Sequence, residues 1–392
     1  MKILSSIYII LLLYFSYIHN LSSQNNRVIV GAEKFEEYLP LLMNKKVGIV
    51  ANHTSMVGKT HLIDTLISLK VDITKIFSPE HGFKGDIERG IYYSDEYIKL
   101  KSKEISLISL YGKNRIPSDE NMKGIEIMIY DIQDVGARFY TYLSTMHNII
   151  EACAKNKVPI IILDRPNPNG HYVDGPVLEI ENKSFVGMHP IPIVHGCTLG
   201  EMAQMIVGEK WLINNEKIDL KIIKIQNWNH KKRYNLPVRP SPNLPNQQSI
   251  LLYPSLCLFE QTPVSIGRGT DFPFQVIGHP DYRNLEFGFT PSSVLEESNP
   301  KFKNVKCFGK DLRKINIKSE IDLSYIIHFY KELKNNGSDF FNDYFYRLAG
   351  TKQLRKQIES DFSEAEIKKS WNKNLEKYKI MRKKYLLYKD FE

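Results

Sequence analysis

FSPEHGFKGDIERG, residues 77–90, decides how this chain folds. It follows VDITKI (71–76), an apolar run that reads as the end of a buried strand. Pro79, Glu80, His81 and Gly82 then occupy four consecutive positions. Pro has no N–H for a ladder and Gly weakens one, so a central strand cannot continue through them. The chain therefore turns at the carboxyl end of a strand, the edge where open α/β sheets bind their ligands. Glu80 is a carboxylate on that turn. Taken alone, the same residues also describe a helix cap beside an ordinary histidine, so the neighbouring stretches must decide.

Working outward, strands and helices alternate. Residues 28–32 (VIVGA) lead into a short helix over 33–39. KVGIVA (46–51) is a buried strand that ends in the turn Asn52-His53-Thr54-Ser55. Leu62, Leu66 and Leu69 have helical spacing. Residues 125–130 form another strand, followed by a turn carrying Asp131, Asp134, Gly136 and Arg138. Residues 139–156 read as a helix, and 158–163 as a strand ending in DRPNPNG (164–170). Thr198 with Glu201 is a capping-box pattern that opens a further helix, and 219–225 is one more strand. Strands alternating with helices of this length predict a parallel sheet with right-handed crossovers.

The texture changes at LPVRPSPNLPNQQS (236–249), where four prolines mark an extended, rigid connection. Beyond it, aromatic, Pro and Gly residues dominate 251–291, and two helices are expected to close the chain. The domain boundary falls near Asn246. At the other end, Lys2, the apolar run 7–15 and Ser22-Ser23-Gln24 read as a secretory signal peptide over 1–24, with an uncleaved anchor as the alternative. Its cleavage implies the periplasm of a two-membrane cell, or the exterior otherwise, and no membrane association afterwards.

The 392 residues suit two domains, and 42% hydrophobic content suffices for a core. The net charge of +9 comes mostly from scattered Lys, without a basic stripe interleaved with aromatics, so nucleic acid is not the expected partner. Cys153, Cys197, Cys257 and Cys307 lack metal-ligand spacing and sit in apolar or mixed runs, which predicts buried free thiols.

In a parallel sheet, four of these turns gather at one edge. They bring together Asn52 and His53, Glu80 and His81, Asp131, Asp134 and Arg138, and Arg165 and Asn167. Folding alone does not require ionisable groups clustered there, whereas binding and catalysis use them. Neither a GxGxxG nor a P-loop sequence follows a strand, so nucleotide binding is unsupported. There is no GxSxG elbow. His53, His81, Asp131 and His195 could be assembled into a zinc site, but no HxH or HExxH spacing points to one. Carboxylates with Arg, Asn, Tyr140 and Tyr142 fit a sugar site better, with tyrosine rings against sugar faces. Tyr140 and Tyr142 serve equally well as core residues of the helix.

SPEHGFKG (78–85), YDIQDVGARFYTYLSTM (130–146), LDRPNPNG (163–170), DGPVLE (174–179), SFVGMHPIPIVHGCTLGE (184–201), PSPNLP (240–245) and SIGRGTDFPFQVIGHP (265–280) occur in this order. Together they closely resemble the exo-β-N-acetylmuramidases, glycoside hydrolases of peptidoglycan turnover. The resemblance covers nearly the whole mature chain. Val238-Arg239, where the family has an aromatic, and Gln261, where it has Gly, are local departures. The resemblance implies a Rossmann-like α/β domain over 27–245, a smaller α+β domain over 246–392, and a cleft between them. It implies no cofactor or metal, muramyl saccharides from peptidoglycan as partners, and Glu80 as the catalytic Glu of the PEHG motif.

A glycosidase needs a proton donor and a second group that activates water or attacks the anomeric carbon. Glu80 is the expected donor. Asp131 and Asp134 are candidates for the second role, and the substrate's own N-acetyl group is another. The lactyl carboxylate of muramic acid calls for a cation, and Arg138, Arg165 and Arg268 are the candidates. His53, His81 and His195 read as hydrogen-bonding groups. A non-catalytic wall-glycan-binding protein and a metal-dependent hydrolase are the competing readings.

Overall fold

The protein is described by a computed structural model that covers residues 27–392 apart from 89–90, 92–94, 101–102, 113, 214–216 and 335–338. The signal-peptide reading of 1–24 lies outside the described residues. The first domain contains β1 (Lys46–Ala51), a small hairpin of β2 (Met56–Val57) and β3 (Thr60–His61), β4 (Asp72–Ser78), β5 (Glu96–Leu100), β6 (Lys103–Ser109), β7 (Ile127–Asp131), β8 (Ile160–Leu163) and β9 (Leu220–Ile223). The main sheet runs β5-β6-β4-β1-β7-β8-β9. Every neighbouring pair is parallel except the edge pair β5–β6. Counting only the parallel strands in chain order gives 3-2-1-4-5-6, the Rossmann order.

Helices α1 (Phe35–Leu42), α2 (Leu62–Ser68), α3 (Asp119–Met122), α4 (Tyr142–Lys155) and α5 (Leu199–Gly208) accompany this sheet. Side chains alternate across a strand, and here both sides are buried. Val47, Ile49, Ala51, Ile127, Ile129, Ile161 and Leu163 enter one core, while Val50, Met128, Tyr130, Ile160 and Ile162 enter the other. A sheet covered on both faces needs continuous apolar strands, which is why KVGIVA and IIIL are apolar runs.

The second domain begins with α6 (Gln247–Leu256), a helix for which the sequence reading placed no element. An antiparallel sheet of β10 (Val276–His279), β11 (Gly288–Phe289) and β12 (Cys307–Asp311) follows, in the order β10-β12-β11. Among the described residues four helices, not two, close the chain: α7 (Ser324–Leu333), α8 (Phe345–Ala349), α9 (Gln353–Glu359) and α10 (Glu364–Lys383). Pro254 lies inside α6. A proline removes the hydrogen bond to the carbonyl four residues earlier. That carbonyl, on Ile250, instead accepts Asn169 Nδ2 at 3.1 Å, so the turn after β8 is tied to the second domain.

The last residues return to the first domain. Tyr388 OH donates to Asp164 Oδ2 at 2.6 Å, Leu387 N to Glu201 Oε1 at 2.9 Å, and His230 N to the Lys389 carbonyl at 3.0 Å. Asp164 is fully buried and also accepts from Thr198 Oγ1 and the Gly200 N–H. Burial pushes its carboxyl up to about 6 despite these donors. Thr198 and Glu201 form the foreseen capping box on α5. The four cysteines are buried free thiols, as their surroundings predicted.

A buried histidine pair sits beside α4. His189 Nε2 and His147 Nδ1 are 3.0 Å apart, and the His189 ring lies 5.0 Å from that of Trp211. Burial, reinforced by Lys183, holds His147 down to about 4. The unfolded chain binds this proton more readily, so stability is lost as pH falls from about 6.5 toward about 4. The shift corresponds to about 3 kcal/mol. Urea unfolding across that window should show a shallower pH dependence in His147→Gln than in the wild type. Identical slopes would remove His147 as the cause.

Candidate active site

Glu80 follows β4 by two residues, on a turn that three features hold in place. His81 and Gly82 both adopt left-handed backbone (φ 71° and 73°), which reverses the chain. His81 Nδ1 donates to the Ile87 carbonyl at 2.8 Å, and Ile87 N donates to the His81 carbonyl at 3.2 Å. Gly85 lies so close to the His53 ring that a Cβ there would clash with it. His53 Nε2 in turn donates to the Arg239 carbonyl at 2.8 Å, tying the turn after β1 to the Pro-rich connection.

The Glu80 carboxylate accepts a hydrogen bond from Thr141 Oγ1 at 2.9 Å. Thr141 precedes α4, yet its hydroxyl makes no cap to that helix. Tyr142 OH donates to the Glu80 carbonyl at 3.3 Å and accepts from Asn52 Nδ2 at 3.2 Å. Asn52 Oδ1 is fixed by Thr54 N and Oγ1 at 2.9 and 2.6 Å. Glu80 is thus held at its side chain and its backbone by the loops after β1 and before α4.

The cleft beside Glu80 has a volume of about 190 Å³ and is lined by residues of both domains. Tyr140, Tyr253 and Phe274 form an aromatic wall, with Tyr140–Tyr253 and Tyr253–Phe274 ring centroids 5.9 and 5.0 Å apart. The Arg268 guanidinium lies 5.0 Å from the Phe274 ring centre. Its Nε and Nη2 are 2.8 and 2.6 Å from Glu260 Oε1, and Nη1 is 3.5 Å from Glu297 Oε2. Glu80 and Glu260 are the carboxylates lining the cleft among the described residues.

Of the residues singled out from sequence, Glu80, His81, Tyr140, Tyr142 and Arg268 reach this cleft. Asn52 and His53 support its turns from behind. The others do not reach it. Asp131 is fully buried and grips Arg165, with Nε–Oδ1 and Nη2–Oδ2 distances of 2.6 and 2.9 Å. Both lie outside the cleft lining, Asp131 wholly buried behind it. Arg138 is also buried, and its guanidinium donates to the carbonyls of Pro176, Ile191 and Leu348, each at 2.8 Å. Burial pulls its pKa down to about 9. It ties the two domains together.

Asp134 accepts from the Gly136 N–H at 2.6 Å and lies 3.8 Å from His195 Nε2. Both side chains are buried, and neither lines the cleft. Asn167 Nδ2 donates to the Cys197 carbonyl at 2.8 Å, and Oδ1 accepts from Asn169 N at 2.8 Å. It joins loops and does not face a ligand. Sequence reasoning missed Thr141, Asn243 and Glu260. Thr141 and Asn243 stand inside quoted motifs, between Tyr140 and Tyr142 and within PSPNLP. Nothing local distinguishes Glu260. No group of three or more His, Cys, Asp or Glu that could hold a metal occurs among the described residues.

Two carboxylates, an arginine and an aromatic wall in one interdomain cleft are the makings of a glycoside hydrolase site. Comparisons with known proteins give the particular family. Models described as exo-beta-N-acetylmuramidase NamZ, N-terminal and C-terminal, match residues 47–248 and 251–388. The chain is 35% identical over 379 residues to the peptidoglycan beta-N-acetylmuramidase NamZ of Bacillus subtilis (strain 168), covering 90% of this chain and 89% of that one. It resembles the crystal structure of a DUF1343 family protein from Bacteroides fragilis NCTC 9343 with a TM-score of 0.85 at 47% identity, over 93% of this chain and 99% of that one. A second DUF1343 family protein of the same organism gives a TM-score of 0.79 at 26% identity, over 93% and 100%. The chain belongs to the NamZ exo-β-N-acetylmuramidase family.

Proposed function

We propose that the protein is an exo-acting β-N-acetylmuramidase that releases N-acetylmuramic acid from the non-reducing ends of peptidoglycan glycan fragments, in wall turnover or recycling. The observation that carries this reading is the Glu80 carboxyl, held by Thr141 in a cleft that also presents Arg268. Family membership and the relative's printed activity support it. Glu80 protonates the leaving glycosidic oxygen. The second function falls to Glu260 on the cleft wall or to the substrate's acetamido oxygen. The protein acts outside the cytoplasm, a placement that rests on the N-terminal signal-like sequence.

Incubation of the mature chain with the disaccharide MurNAc-GlcNAc, followed by mass spectrometry, tests the activity. Free MurNAc is expected. Intact disaccharide that is nevertheless bound would make the protein a glycan-binding module instead.

Among the three arginines considered for the lactyl carboxylate, Arg268 is the one at the cleft. Glu260 and Glu297 orient its guanidinium, and the Nη1 side, 3.5 Å from Glu297, is the looser one. A charge-assisted hydrogen bond is worth about 1.5–3 kcal/mol. Arg268→Met should therefore cut the preference for muraminides over glucosaminides by about 10- to 100-fold in kcat/KM. An unchanged preference would remove Arg268 from lactyl recognition.

A further inference from the structure

The PSPNLP motif, residues 240–245, borders the cleft without a role in the reaction as described so far. Its backbone is fastened from outside. The Pro240 carbonyl accepts from Tyr140 OH at 2.9 Å, the neighbouring Arg239 carbonyl receives His53 Nε2 at 2.8 Å, and Leu244 N donates to the Ser241 carbonyl at 3.2 Å. Pro240, Pro242 and Pro245 each fix a φ angle, so the segment is stiff. On this segment Asn243 lines the cleft with only 6% of its surface exposed. Its Nδ2 is buried and has no hydrogen-bond partner.

An asparagine in a turn ordinarily spends its side chain on nearby backbone. This one does not, and a buried amide N–H left unpaired costs free energy that a bound acceptor would recover. The surroundings narrow what that acceptor is. A carboxylate on the ligand is served by Arg268 and the scissile oxygen by Glu80, both in the same cleft. Asn243 is neutral, and the same cleft presents the apolar surfaces of Leu244, Tyr253 and Phe274. A carboxamide offers one N–H donor pair and one carbonyl acceptor. The free Nδ2 calls for a carbonyl acceptor, and the apolar wall beside it for a methyl; an acetamido group carries both. A ring hydroxyl offers an acceptor without the methyl.

Resting on the muramidase reading, we infer that Asn243 is the specificity residue for the 2-acetamido group of the sugar: its Nδ2 donates to the acetamido carbonyl, and the aromatic wall takes the methyl.

The test is calorimetric binding of two ligands, N-acetylmuramic acid and 3-O-lactylglucose, which has a hydroxyl in place of the acetamido group. The wild type should bind N-acetylmuramic acid more tightly by about 10- to 100-fold, the range expected when one polar contact and a methyl are lost together. Asn243→Ala should reduce that ratio to within about threefold while leaving lactylglucose affinity unchanged; a contact to the acetamido group has nothing to offer the hydroxyl analogue. Asn243→Asp keeps the volume but removes the donor, and should also lose the ratio. Arg268→Met should weaken both ligands alike. Asn243 variants that weaken both ligands equally, or neither, would overturn the inference while leaving the muramidase reading intact, as would a wild type without preference. A wild type that binds neither sugar would overturn both.

Discussion

Glu80→Gln is expected to lower kcat on MurNAc-GlcNAc by about a hundred- to ten-thousandfold, the range contributed by a positioned general acid. The substitution is nearly isosteric. The amide oxygen can still accept from Thr141, so the turn and its hydrogen bonds survive and only the transferable proton is lost. Two readouts separate this role from a structural one. Thermal stability should stay within a degree or two of the wild type. The deficit should also shrink on an aryl muraminide whose leaving phenol needs no proton, because a good leaving group makes the acid redundant. An equal deficit on both substrates would mean that Glu80 acts elsewhere in the reaction, and wild-type turnover on the disaccharide would remove it from catalysis.

Arg165→Met should be the most destabilising single change near this edge of the sheet. It leaves the Asp131 carboxylate at zero exposure without its partner. Breaking one side of a buried ion pair costs about 3–5 kcal/mol. In a chain of this size that lowers Tm by on the order of 10 °C. The double variant Arg165→Met/Asp131→Leu should recover most of the loss, since two apolar groups leave no uncompensated charge. Activity per folded molecule should change little in either protein. A loss in Arg165→Met below about 1 kcal/mol would mean that water reaches the carboxylate. An Asp131→Asn protein that is stable but dead would return Asp131 to the reaction.

The contrast between Asp131 and Glu80 shows what composition can and cannot reveal. Both are carboxylates at the carboxyl ends of parallel strands, Asp131 as the last residue of β7 and Glu80 two residues past β4, beside turns dense with polar residues. The sequence places them at the same sheet edge correctly, because apolar runs 46–51, 127–130 and 160–163 are long enough to declare buried parallel strands. It does not say which carboxylate meets an arginine, because Arg165 follows a different strand. The pairing of β5 with β6 is hidden for a related reason: EYIKL, the edge strand β5, mixes charge with apolar residues, and so does KEISLIS beside it. In the second domain, strands of two to five residues are too short for a period to show. Helix α6 was hidden by Pro254, whose cost is offset by Asn169 from the other domain. Asn243 and Glu260 join the cleft only through tertiary packing, so their motif positions alone could not identify their partners.

The return of the C-terminal residues has a consequence for the order of events during synthesis. Tyr388 is hydrogen-bonded to Asp164 across a sequence separation of 224 residues, and Leu387 to Glu201 across 186. A ribosome that has released the whole parallel sheet has therefore not yet released two of the donors to its buried acids. Until the final turns of the polypeptide arrive, Asp164 has its partners Thr198 and Gly200 but not the Tyr388 hydroxyl, and Glu201 has His230 but not the Leu387 N–H. The sheet domain should then be slow to reach its native state on its own, and a nascent chain should remain loosely organised until translation is nearly complete.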